Sequence, residues 1–128
     1  VMQLGDLEKL VLQFLWSEKE ADAKRVHIAV GMSRGNSLNT IQTTLDRLFK
    51  KSLLSRTKQG HAHLYTAIVD RESLIATLIT DVTADFIEDG EHSLIAAFAS
   101  SSANLDDAQF EALEKLIEQQ RQLRSRKI

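Results

Sequence analysis

Apolar positions recur along most of this chain at helical spacing, and in one stretch at the spacing of a strand. Near the start, "GDLEKLVLQFLWSEKE" puts Leu7, Leu10, Val11, Phe14 and Leu15 on one face, with Asp6 and Glu8 in the first turn, where a helix favours acid. "ADAKRVHIAVG" predicts a short second helix that buries Val26 and Val30 and stops near Gly31. After the linker "GMSRGNS", Ser37 is a good N-cap for a third helix that buries Leu38, Ile41, Leu45 and Leu48 and runs to about Lys51.

The period then changes. "LLSRTK", the turn pair Gln59-Gly60 and "HAHLYTAIV" predict a hairpin. Its second run alternates, with Ala62, Leu64, Thr66 and Ile68 on one face and His61, His63 and Tyr65 on the other; Leu64 is expected in the core. Three helices and a β-hairpin describe a mainly α fold, the winged helix-turn-helix. From Asp70, a helix cap, helical spacing returns through Leu74, Ile75, Leu78, Ile79, Val82 and Phe86 until Gly90 breaks it. A short apolar segment, "SLIAAFA", follows. The last helix has Asp106 as N-cap, Gln109 at N3 and Leu105 stapled to Phe110, with a stripe of Phe110, Leu113, Leu116 and Ile117. The expected division is a winged unit over residues 1–70 and a helical unit over 71–128.

The helical unit carries more apolar surface than two or three short helices can bury. A second copy of the chain covers it economically, through Leu74, Leu78, Val82, Phe86, Leu94, Phe98, Phe110, Leu113 and Ile117. The alternative is that these stripes fold back on the winged unit of the same chain.

A length of 128 residues fits one domain, or a small domain with an appended element. With no cysteine, the chain has no disulfide, thiolate metal site or cysteine nucleophile. No apolar run is long enough to span a bilayer and no signal-peptide pattern opens the chain, so a cytoplasmic location is expected. The formal net charge of −2 hides an asymmetry. Between Lys24 and His63 stand eight basic residues (Lys24, Arg25, Arg34, Arg47, Lys50, Lys51, Arg56, Lys58) and one acid, Asp46, whereas residues 71–128 hold six basic and eleven acidic groups. The first region attracts polyanions.

The outward positions of the third helix are Asn39, Thr40, Gln42, Thr43, Asp46, Arg47 and Lys50. An ordinary solvated face mixes both charge signs. This one suits base edges and phosphates. Asn39 and Gln42 can pair with adenine, Thr40 and Thr43 with bases or phosphates, and Arg47 with guanine or a backbone oxygen. Asn39, Gln42 and Thr43 are the expected base readers, with Arg47 on phosphate and Lys50 beside it. In the wing, Arg56, Lys58 and His61 suit phosphate or minor-groove contact, or simple solvation. Lys24 and Arg25 open the second helix, whose amides can also meet a phosphate.

Other chemistry is thin. His61 and His63 form an i,i+2 pair with no nearby Asp, Glu or Cys, and His27 and His92 stand alone, so neither a metal nor another cofactor is expected. No Gly-rich phosphate loop, HExxH or nucleophile elbow is present, and no enzymatic activity is expected. Trp16 and Tyr65 suit packing around the winged unit.

"LGDLEKLVLQFLW", "LNTIQTTLDRLFKKSLL" and the Tyr65 strand, followed by "FIEDGEHSLIAAFASSSANLDDAQFEALEKLI", together resemble the penicillinase-repressor family of the BlaI, MecI and CopY type over nearly the whole chain. The Thr40, Thr43, Arg47, Leu48 spacing carries part of that likeness. The resemblance implies a homodimeric transcriptional repressor on the double-stranded DNA of a palindromic operator. It also implies release by a sensor-protease pathway, with the comparable cleavage junction at Ala97 and Phe98. Ala97 departs from the Asn of that pattern, and Ser52 stands where glycine is usual after the basic pair. The cysteine cluster of the copper-responsive branch is absent. A rival reading is a winged-helix protein-interaction module that turns its basic face to an acidic partner.

Overall fold

The computed structural model describes residues 3–84 and 93–126. They fall into two compact units, Val1–Asp85 and Phe86–Ile128. The first begins with α1 (Asp6–Glu18), whose Glu8 reaches back to accept the Gly5 amide at 3.0 Å. Lys19 turns the chain at φ 72° into a two-residue strand, β1 (Glu20–Ala21). Next come α2 (Ala23–Val26), a π-helical turn (His27–Gly31) and a 3-10 turn (Met32–Arg34). A Cβ on Gly31 would stand 2.9 Å from Ile41 Cγ1, so only glycine lets this turn approach the third helix so closely.

That helix is α3 (Leu38–Lys50), capped by Ser37, whose hydroxyl accepts the Thr40 amide at 3.1 Å. It buries Ile41, Thr44, Leu45 and Leu48, but not Leu38, which stays exposed in the first turn. Thr44 can occupy the core because its hydroxyl donates to Thr40 O at 2.8 Å. After α3 the chain reverses through Ser52 at φ 64°, with the Leu53 amide bonded to Leu48 O and the Ser52 amide to Phe49 O. This paired pattern is a helix-terminating turn that wants glycine at the left-handed position.

Strands β2 (Leu54–Gln59) and β3 (Ala62–Ala67) form the wing, joined by Gly60-His61 rather than the expected Gln59-Gly60. Gly60 takes φ 63°, the left-handed conformation that the tight turn demands. β1 pairs with β3, making a three-stranded antiparallel sheet in the order β1-β3-β2 where two strands were expected. The inward face of β3 is also the other one. Tyr65 is buried at 1% exposure, Leu64 is only half-buried, and Ile68 lies past the strand end and is exposed.

The core of the unit gathers Val11, Leu12 and Leu15 of α1, Val26, the α3 residues, Leu53, Leu54 and Tyr65. It also takes in Leu74 of α4 (Arg71–Thr83), at 4% exposure, with Leu78 packed alongside. Trp16 fastens the connection by donating its Nε1–H to Val69 O at 2.8 Å. The compact unit therefore runs past residue 70. Leu74, expected on a dimer face, belongs to this core because α4 docks on α1, while Ile75, Ile79 and Val82 of α4 stay exposed.

In the second unit, α5 (Ser93–Ser101) leads through a 3-10 turn (Ser102–Asn104) into α6 (Asp107–Ser125). Asp106 caps α6 as expected: its carboxylate accepts the Gln109 amide at 2.8 Å and its amide donates to Gln109 Oε1 at 2.9 Å. Leu94, Phe98, Phe110 and Ile117 are exposed and Leu113 is half-buried. Phe86, Gly90 and His92 lie outside the described residues.

Candidate nucleic-acid interface

Burying Ile41, Leu45 and Leu48 turns the opposite face of α3 outward. Asn39, Thr43, Arg47 and Lys50, spaced by four, four and three, form one exposed ridge, with Thr40 beside it. No hydrogen bond or ion pair ties down the side chains of Asn39, Arg47 or Lys50 among the described residues. Thr43 donates its hydroxyl to Asn39 O at 3.0 Å, leaving its oxygen free to accept, while the Thr40 hydroxyl lies 3.0 Å from that of Ser37.

Gln42 differs from its neighbours. It is half-buried, and its Nε2 donates to the Tyr65 hydroxyl at 2.9 Å. Asp46, the only acid of this face, accepts from Arg56 Nη1 at 3.1 Å, and the Arg56 guanidinium stacks 4.0 Å from the Phe49 ring centre. Arg56 thus braces the base of the wing against α3. At the wing tip Lys58 and His61 are both exposed, and neither has a hydrogen bond or ion pair through its side chain among the described residues.

At the other side, Lys24 is exposed, with no ion-pair partner among the described residues, but Arg25 bonds Glu18 at 2.9 Å. At the N-terminus of α2, Asp22 Oδ1 accepts the Arg25 amide at 2.9 Å, so one of the amides expected to meet a phosphate is capped by the chain's own carboxylate. Lys51 is held by Glu8. Of the eight cations, Arg25, Lys51 and Arg56 are paired, and Lys24, Arg34, Arg47, Lys50 and Lys58 have no ion-pair partner among the described residues. A hollow of about 310 Å³ lies between α2, α3 and the wing, lined by Asp22, Lys24, Leu38, Gln42, His61 and His63. No three His, Asp or Glu side chains converge on a metal-sized site among the described residues. None of the described helices is long and apolar enough to cross a membrane.

The family model described as penicillinase repressor matches residues 4–119. The chain belongs to the penicillinase repressor family. Relatives of this family include the transcriptional regulator BlaI of Mycobacterium tuberculosis, 33% identical over 107 residues, covering 83% of this chain and 78% of that one. The penicillinase repressor of Bacillus licheniformis is 28% identical over 104 residues, covering 81% and 72%. Among solved structures, the DNA-binding domain of the repressor BlaI aligns with a TM-score of 0.50 at 28% identity, covering 70% of this chain and 94% of that domain. The family likeness drawn from the α1, α3 and C-terminal segments therefore holds across the chain, and the winged-helix fold with it.

Sequence reasoning missed three features of this penicillinase-repressor winged unit. Leu38 fits the apolar period of α3 but is exposed, because a residue directly after an N-cap sits on a turn with little helix behind it. Arg34, exposed just before α3, was counted only as charge. Tyr65 was recognised as packing, but its hydroxyl, set behind Gln42, was not.

Proposed function

We propose that this chain is a transcriptional repressor that binds a palindromic operator in double-stranded DNA as a homodimer. The observation that carries the reading is the exposed ridge of Asn39, Thr43, Arg47 and Lys50 on a capped helix whose one acid is neutralised by Arg56. A face of amides, hydroxyls and uncompensated cations matches the major groove and its phosphates, and likeness to the BlaI DNA-binding domain supports it. Asn39, Gln42 and Thr43 read bases. Arg47, Lys50, Lys58, His61 and Lys24 meet the backbone, and Thr40 accompanies them. The exposed apolar side chains of α5 and α6 join two copies, so that two α3 helices address two half-sites. Induction by a sensor-protease pathway would act at Ala97–Phe98, inside α5.

Selection of binding sequences from a random duplex pool tests this reading. A palindromic consensus bound with steeply salt-dependent affinity is the expected result. Equal affinity for selected and random duplex overturns it and favours the rival, a protein-interaction module.

A further inference from the structure

α3 is joined to the wing at two points. Tyr65 accepts the hydrogen bond from Gln42, and Arg56 donates to Asp46 while stacking on Phe49. Arg56 and Tyr65 are directly paired across β2 and β3, so their side chains leave the same face of the sheet. Gln42, Asp46 and Phe49 stand at i, i+4 and i+7, on one face of α3. A cross-strand pair on the wing thus meets a helical row on the reading helix.

The two partners of the Gln42 bond are unequal. Tyr65 is 1% exposed, with its ring fixed in the core and the His63 ring against its edge at 6.2 Å. Its hydroxyl cannot swing to solvent, so the core decides where it sits. Gln42 reaches out from that anchor. A carboxamide has two N–H donors and an acceptor oxygen. The bond to Tyr65 uses one N–H. The other N–H and the oxygen remain, and these are the donor and acceptor that adenine N7 and N6 require. Without the anchor, a glutamine on a helix surface must be ordered when DNA arrives, at a cost to affinity.

We propose that Tyr65 is a positioning residue for operator choice: from inside the core it holds the Gln42 carboxamide in the orientation that reads an adenine edge. This deepens the DNA-binding reading above and rests on it. Arg56, its cross-strand partner, keeps the Asp46 carboxylate engaged and away from phosphate.

The test measures affinity of the full chain for the selected duplex and for its single-base variants, with thermal unfolding in parallel. Gln42→Ala is expected to reduce discrimination at one base pair of each half-site by about 5- to 100-fold. Tyr65→Phe should reduce discrimination at that same pair by about 2- to 10-fold, with the salt slope unchanged. The double variant should lose no more than Gln42→Ala alone. A Tyr65→Phe protein that binds every duplex more weakly, with discrimination intact, overturns the proposal, because that is what a purely structural hydroxyl would do. Should Tyr65→Phe fail to fold, Gln42→Glu keeps the test open. Its carboxylate can accept from the Tyr65 hydroxyl and from cytosine N4, so the preference at that pair should move toward cytosine. An unmoved preference overturns the positioning role. Absence of any sequence preference in the unmutated chain is a different failure, that of the DNA-binding reading itself.

Discussion

The Lys51 ammonium, just past the end of α3, lies 2.7 Å from Oε2 of Glu8 in the first turn of α1. It also donates to Gln3 O at 2.6 Å, so one side chain ties the end of α3 to the start of the chain. Burial of Glu8 opposes its ionisation. The Lys51 hydrogen bond, the Gly5 amide and the charges of Lys51 and Arg47 outweigh burial, and the carboxyl titrates below its ordinary value.

A depressed folded-state pKa means that the unfolded chain binds more protons in that window. The stabilisation is therefore complete above the unfolded value and is lost as pH falls through the folded one. Lys51→Met and Glu8→Gln should each cost about 1–3 kcal/mol near neutral pH. In urea melts over a pH series, the gap to the parent chain should close below the usual glutamate range. A gap that stays constant into acid would remove this pair from the explanation.

Arg47 and Lys51 should separate binding from stability. Arg47→Ala removes from the exposed ridge a cation with no ion-pair partner among the described residues. It is expected to weaken binding to all duplexes and make the slope of log affinity against log salt shallower by about one unit. Lys51→Met should leave that slope unchanged while lowering the melting temperature. Fluorescence anisotropy across a salt series, paired with thermal melts, reads both.

The packing of α4 sets where the winged unit can be cut. A fragment of residues 1–84 should fold, sediment as a monomer and bind the full palindrome weakly, having lost the avidity of two linked half-sites, commonly a factor of about 10²–10⁴. A fragment of residues 1–69 loses Leu74 from the core and should be markedly less stable; Leu74→Ala in the full chain should cost about 2–5 kcal/mol. Equal melting of the two fragments would show that α4 contributes nothing to this core.

Ser52 occupies a left-handed position at φ 64°. Ser52→Gly should raise stability by about 0.5–1 kcal/mol, because only the side chain resists that conformation. A chemical denaturation curve with unchanged slope and a higher midpoint is the expected signature.

Much of this architecture was legible from spacing. Ser37 and Asp106 announced their helices because caps are local chemistry, and Ile41, Leu45 and Leu48 followed from the 3.6-residue period. What escaped depended on partners distant in sequence. Alternation in β3 gave two faces and suggested the one with Leu64 for the core, whereas Tyr65 points inward because it packs among residues of α1 and α3 that are distant in sequence. β1 is too short to have a period. Arg56 looked like a wing contact because its charge is visible in the sequence, whereas its engagement with Asp46 and Phe49 exists only after folding. The ridge of α3 was legible as a surface; which cations remain free on it was not.

The division of the basic residues into paired and unpaired sets has a practical side. On the DNA-binding reading proposed above, the cations with no ion-pair partner among the described residues answer to ionic strength steeply, through released counterions. The partly shielded Lys51–Glu8 pair answers weakly, because neighbouring protein excludes the screening ions. Concentrated salt should strip the protein from a nucleic-acid column while leaving it folded, and dilution should return it in working order.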